Sequence, residues 1–261
     1  MKNDSDNKIV ELFRHTNASA KLVEVADSFE MKRGGQLSNL HIAYETWGDL
    51  NKDQSNVIVI FTGLSANSHV TSSQDNQTPG WWETMVGDGK AVDTNKYYVI
   101  CINTLGSCFG STSPVSINKK TSQPYRLTFP ELTVEDMANA SHLLLKKIGI
   151  NKIHILIGPS LGGMKALAFS ILHNTFVDNL ILISTATQAL PFAIALRSLQ
   201  REVIRKDPLW NNGFYSYEKP PLNGVRIARK IGMTSYRSAN EWVQRFGRKK
   251  SVENKINQNT F

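Results

Sequence analysis

The residues with the clearest chemical reading lie in "ILIGPSLGGMKALAFSI", Ile155 to Ile171. Gly158-Pro159-Ser160-Leu161-Gly162 has the spacing G-x-S-x-G, and Gly163 follows. A serine with glycine two residues before and two after it sits at the tip of a tight strand-to-helix turn, because a side chain at either glycine would block the approach of strand and helix. Such a turn exposes the hydroxyl at the carboxyl end of the sheet. The amide of Leu161, at the start of the expected helix, then points at the oxygen that gains charge when Ser160 attacks a carbonyl. The chemistry is nucleophilic catalysis through a covalent intermediate. A second amide donor is expected in "FTGLSANSH", the loop after an earlier strand, with Leu64 as the candidate. The plainer alternative is that the glycines of the turn serve packing alone and that Gly63 merely ends a strand.

A serine of this kind needs a histidine base, usually oriented by a carboxylate, and both are expected after the serine in the chain. The six histidines are His15, His41, His69, His142, His154 and His173, and none follows His173. His173 ends the helix that Ser160 begins, on the far side from the hydroxyl. Asp178 precedes the next strand at the wrong end of a sheet, and Asp207 falls in a later helical region. His69 follows the Leu64 loop and is the one substitute base whose position could bring it near Ser160; the competing reading is a loop residue of a substrate pocket. No triad acid and no triad histidine are found in this chain.

The elements that must hold Ser160 are legible as hydrophobic runs. "KLVEVADSFEM" and "LHIAYETWGDL" alternate and predict paired antiparallel strands. "NVIVIFTGL", "KYYVICINTLG", "KIHILIG" and "VDNLILIST" are continuous apolar runs, as strands buried on both faces require. Between the second and third of these, "TVEDMANASHLLLKKIG" predicts a helix. Thr133 and Asp136 form a variant capping box, Met137, Ala140, Leu144 and Ile148 share one face, and Gly149 closes it. Strand and helix alternate, so the class is α/β with a mostly parallel sheet. After Thr185 the pattern becomes helical, in "ALPFAIALRSLQREVIRKD", "GVRIARKIG" and "SANEWVQRFGRKK". The expected organisation is a core over 1–186, a helical segment over 187–248 and a disordered tail over 249–261.

Composition narrows the class. The 261 residues, 41% apolar, suffice for one large α/β domain or most of one. There is no run of 18 apolar residues to span a membrane, and the polar N-terminus is no signal peptide. Two cysteines, Cys101 and Cys108, make no disulfide framework, and a reduced cytoplasmic setting is expected. The net charge of +8 is concentrated after residue 196, where 14 Lys/Arg face 5 Asp/Glu. That surplus reads as a solvated helical surface or as attraction for an anionic substrate; no recognition motif supports nucleic acid. Trp81 and Trp82 read as packing for a long loop rather than a substrate tunnel. Cys101 reads as core and Cys108 as a loop residue with no visible activating base. No metal-ligand cluster is found.

Several stretches go further. "AYETWGDLN", "GWWETMVGDGKAVDT", "YYVICINTLGSCFGSTSPVSIN", "FPELTVEDM", "IGPSLGGMKAL" and "ARKIGMTSYRS" together resemble the homoserine O-acetyltransferase family, from about Lys21 to Arg248. Within it, "FTGLSANSHVTSS", "GPSLGGM" and "ALPFAIALRSLQRE" are most similar to the serine O-succinyltransferase subgroup. The resemblance implies an α/β-hydrolase fold with a helical lid. It implies an enzyme of methionine or cysteine biosynthesis that moves an acyl group from acetyl-CoA or succinyl-CoA to the hydroxyl of L-homoserine or L-serine. Ser160 would carry the acyl group, Arg201 would bind the acceptor's carboxylate, no cofactor beyond the acyl-CoA co-substrate would be needed, and a homodimer would form through the lid. Arg197 lies four residues before Arg201 on the same helical face and could serve a succinyl carboxylate. The family's catalytic acid and histidine lie on the last core strands, after the lid. This sequence ends in the lid, so a C-terminally truncated member with an incomplete sheet and an uncovered apolar edge is expected. The alternatives are a catalytically inactive family member and an ordinary serine hydrolase.

Overall fold

The computed structural model describes residues 19–216 and 218–247. Contacts divide the chain into two compact units, one ending at Gln188 and the other beginning at Ala189. The tail expected from 249 onward lies outside the described residues.

The first unit is built on a six-stranded sheet. Strands β1 (Lys21–Glu30) and β2 (Gln36–Trp47) pair antiparallel, as their alternation requires. β2 then pairs antiparallel with β4 (Tyr98–Ile102). β3 (Val57–Phe61), β4, β5 (Ile153–Pro159) and β6 (Val177–Ile183) run parallel, giving the order β1-β2-β4-β3-β5-β6. Every residue of β3 is buried, which explains why "VIVIF" shows no alternation: both of its faces are covered.

Helix α1 (Val134–Lys147) begins where expected. The Thr133 hydroxyl accepts from the Asp136 amide at 3.2 Å, and the Asp136 carboxylate accepts from the Thr133 amide at 2.8 Å. Gly149, at φ 82°, ends it in the left-handed region. Ala140 and Leu144 are fully buried, with Met137 and Ile148 packed beside them. Helix α2 (Leu161–Leu172) follows β5 directly, and its Phe169 meets Phe61 of β3 edge-on at 5.6 Å. At the end of the sheet, β6 leaves Ile181 and Leu182 43% and 38% exposed, and among the described residues no strand pairs with its outer side. The run "VDNLILIST", read from its sequence as a strand buried on both faces, is instead half-exposed in β6.

The second unit holds three helices, α3 (Pro191–Lys206), α4 (Leu222–Ser235) and α5 (Ala239–Phe246). Small residues let α4 approach α3: a Cβ at Gly224 would stand 2.8 Å from the Ile204 Cα. The Asp207 carboxylate caps the approach, accepting from the Gly224 amide at 2.8 Å and the Leu209 amide at 2.9 Å. Those amides hold Asp207 below the usual carboxylate range. Among the described residues no helix is long and apolar enough to cross a membrane, and no cluster of three or more His, Cys, Asp or Glu could hold a metal ion.

Candidate active site

Ser160 occupies the turn between β5 and α2 with φ 53° and ψ −120°, a backbone conformation that a side chain reaches only under strain. Hydrogen bonds hold it there. The Ser160 amide donates to the Ile183 carbonyl at 2.9 Å, tying the turn to β6. Its carbonyl accepts from the Thr185 hydroxyl at 2.7 Å and from the Gly163 and Met164 amides at 3.0 and 3.2 Å. The serine itself is exposed.

The glycines are sterically required. A Cβ at Gly158 would strike the Gly162 carbonyl, and one at Gly162 would strike the Phe61 carbonyl at the end of β3. One at Gly163 would come within 2.6 Å of the Thr185 side chain. The alternative that these glycines serve packing alone is half true, since they do pack; what they pack so closely is a turn that projects a hydroxyl.

Leu161 is the first residue of α2, so its amide is one of the unbonded donors of a helix N-terminus. The loop carrying Leu64 passes the same turn: the nearest atom to a Cβ on Gly63 would be the Pro159 carbonyl oxygen at 3.7 Å. Ser160, Leu161 and the Leu64 loop therefore stand together at the carboxyl ends of β3 and β5. Arg197 and Arg201 are on α3 of the second unit, Arg201 exposed and Arg197 donating to the Gln200 side chain at 2.7 Å.

Among the described residues no histidine or carboxylate bonds the Ser160 hydroxyl, and each described histidine is engaged elsewhere. His142 and His173 stack at 3.8 Å between α1 and α2, and His173 bonds the Asn139 amide oxygen at 3.1 Å. Burial, then the neighbouring His142, pull His173 down to about 4. His154 and Lys152 flank Asp178 at the amino ends of β5 and β6, remote from the serine. His41 faces Glu24 on the antiparallel ribbon.

His69 needs a correction as a substitute base. Its Nδ1 bonds the Glu45 carboxylate at 2.9 Å and its Nε2 bonds the Thr78 carbonyl at 2.6 Å. Both partners accept, so both ring nitrogens donate and no lone pair remains to take a proton. Burial opposes the charge, but the Glu45 bond, the Thr78 carbonyl and the charges of Glu45 and Glu83 together raise the His69 pKa. These contacts favour the charged form of His69 and tie both of its ring nitrogens into the fold.

Two further buried groups went unread in the sequence. Glu45 sits near the carboxyl end of β2, 2% exposed, where its period-2 position in "AYETW" gives little warning of burial on both sides. Lys165, in the second turn of α2, is fully buried. Its ammonium group lies 3.9 Å from the Phe61 ring centre and 3.4 Å from the Thr104 hydroxyl. Burial pulls it down to about 7, with only the Cys101 side chain pulling back. Cys101 is core, its thiol pushed well up by burial, and Cys108 is exposed. Trp81 and Trp82 stack at 5.2 Å against the core on one side of the sheet, in line with the packing reading.

Comparison with known proteins agrees with this architecture. The chain is 54% identical over 220 residues to the serine O-succinyltransferase of Xanthomonas oryzae pv. oryzae, across 84% of this chain and 55% of that protein. The homoserine O-acetyltransferase of Bacillus anthracis superposes with a TM-score of 0.80 at 30% identity, over 90% of this chain and 64% of that one. Esterase E22 superposes with a TM-score of 0.78 at 32% identity, over 86% and 63%. The chain spans little more than half the length of the curated relatives it matches. The alpha/beta hydrolase fold model matches residues 56–258, with Ser160 at the turn between the fifth strand and the helix that follows, and the chain belongs to that family.

Proposed function

We propose that this protein transfers an acyl group from an acyl-CoA to the side-chain hydroxyl of serine or homoserine, with Ser160 as the acyl carrier. The observation that carries the reading is the strained, exposed Ser160 at the head of α2. The similarity to a serine O-succinyltransferase favours succinyl-CoA and serine over acetyl-CoA and homoserine. In the first half-reaction the serine oxygen attacks the thioester carbonyl, the Leu64 and Leu161 amides receive the oxyanion, and CoA leaves as the thiol. In the second, the acceptor hydroxyl attacks the ester on Ser160 and the serine is regenerated.

Arg201 is assigned the acceptor's carboxylate and Arg197 a succinyl carboxylate. If Arg197→Ala lowers turnover equally with acetyl-CoA and succinyl-CoA, the second assignment fails. The described residues give Ser160 no base, so acylation is expected to run several orders of magnitude below that of a complete triad. Intact-mass measurement after incubation with succinyl-CoA tests the reading directly. The expected result is a succinyl adduct that Ser160→Ala abolishes and that serine or homoserine discharges. No adduct would leave a catalytically inactive family member. An adduct discharged by water as fast as by either amino acid would favour ester hydrolysis, the reading that the likeness to esterase E22 supports.

A further inference from the structure

The loop after β3 has an unusual support. From Gly63 to Asn67 no amide or carbonyl bonds another backbone group among the described residues. Side chains place it instead. The Trp81 indole donates to the Asn67 carbonyl at 2.9 Å, and the His69 amide donates to the Asn67 side chain at 3.1 Å. The densest anchor is Glu45 on β2, a strand that does not adjoin β3. Its carboxylate accepts from the Ser68 hydroxyl at 3.1 Å, from His69 Nδ1 at 2.9 Å and from the Ser19 hydroxyl at 2.7 Å. His69 then reaches onward through Nε2 to the Thr78 carbonyl, and the Trp81 amide returns a bond to the His69 carbonyl at 3.2 Å. Glu45 and His69 are 2% and 5% exposed, so this pair is shielded from solvent and from salt.

We propose that Glu45 and His69 form a positioning pair for acyl transfer, fixing the loop after β3 so that its Leu64 amide stands beside Ser160. An oxyanion donor must be in place before the reaction, because a donor that has to be ordered during the reaction loses its advantage over water. Between Gly63 and Asn67 the described backbone bonds supply no such order. A doubly donating imidazolium between a carboxylate on one strand and a carbonyl in the next loop supplies it from both sides, and pairing offsets the cost of burying the charge. The inference rests on the acyl-transfer reading for its catalytic half and on the observed bonds for its structural half.

Two measurements separate those halves. Backbone ¹⁵N relaxation on the full chain is expected to give Gly63–Ser68 rigid order parameters, about 0.85, falling below about 0.6 in Glu45→Gln. Values unchanged in a folded Glu45→Gln overturn the proposal. The initial rate of Ser160 acylation by succinyl-CoA, followed by intact mass, is expected to fall on the order of 100-fold in Glu45→Gln. The Kd for succinyl-CoA should stay unchanged, and Glu45→Asp should recover part of the rate. A loosened loop with an unchanged acylation rate reduces the pair to a structural clamp and overturns the positioning role. A parent that is never acylated overturns the acyl-transfer reading, and with it the catalytic half, while the order parameters still decide the structural half. Should Glu45→Gln fail to fold, His69→Gln takes its place, since it keeps one donor for Glu45 and gives up the bond to Thr78.

Discussion

The two units of this chain are stabilised in different ways. In the first, aliphatic and aromatic side chains from β2, β3, β4, β5, α1 and α2 form continuous cores in which Leu37, Phe61, Ile100, Leu144 and Phe169 are almost wholly hidden. In the second, Ala228 is the only buried hydrophobic residue among those described, while Phe192, Ile194, Leu199, Val243 and Phe246 are all more than 45% exposed. The first unit holds the strained turn at Ser160 and the buried Lys165 against its packed core. The second depends on close backbone approach at Gly224, Ala228 and Gly232 and on the Asp207 cap. A nucleophile needs the first kind of support, because a strained turn persists only where its surroundings over-determine it.

The contrast can be broken most directly at the glycines. Gly162→Ala places a methyl group against the Phe61 carbonyl, which is strand backbone and cannot yield. A loss of more than about 3 kcal/mol is expected, read by urea denaturation. Leu156→Ala, in the middle of β5 and fully buried, should cost about 2–5 kcal/mol in the same experiment. A small loss at either site would show that the first unit is not tightly packed.

Lys165→Met should act in the opposite direction. It keeps the length of the side chain and removes an ammonium that has one hydroxyl and one aromatic ring for partners, so a gain of about 1–4 kcal/mol is expected at or below pH 7. The sign with pH follows from the depressed value. Between about 7, where Lys165 titrates in the fold, and its higher unfolded value, the unfolded chain binds one more proton than the native one. The parent's stability should therefore rise across that window relative to Lys165→Met, shrinking the advantage of the substitution. Urea midpoints at pH 6, 7.5 and 9 would show it, and parallel pH curves for the two proteins would refute it.

The smallest effect belongs to the second unit. A Cβ at Gly232 would meet Gln200 Nε2 at 2.8 Å, the end of a flexible side chain that can yield by loosening its bond to the Ala228 carbonyl. Helix propensity favours alanine over glycine by about 1 kcal/mol, so Gly232→Ala should change stability by less than about 1 kcal/mol in either direction. A large loss there would mean that the second unit is packed as tightly as the first.

Much of the fold could be read in advance, for local reasons. Strand β3 shows in "VIVIF" because burial on two faces removes alternation, and α1 shows in "TVED" because a capping box is a four-residue event. The three helices of the second unit show through their periodicity, although periodicity does not tell whether an apolar face finds a partner. At the site, the sharp turn that carries Ser160 at the head of α2 was legible from glycine spacing. Whether His69 could serve as a substitute base was not legible, because its pairing depends on Glu45, 24 residues earlier on β2. Lys165 looked like an ordinary helix residue, since nothing within a turn of it reveals that the ends of β3 and β4 close over its ammonium group.

The division follows the range of the forces. Sequence by itself determined the turn at Ser160, since a strand, three glycines and a helix within about fifteen residues permit few backbone paths there, and it determined the parallel sheet, since strand and helix runs alternate. Tertiary structure alone decided which polar groups are charged, paired or stripped of water. Burial and pairing depend on residues that meet only after the chain has closed, as Glu45, His69, Thr78 and Lys165 do around the loop and helix that present the serine.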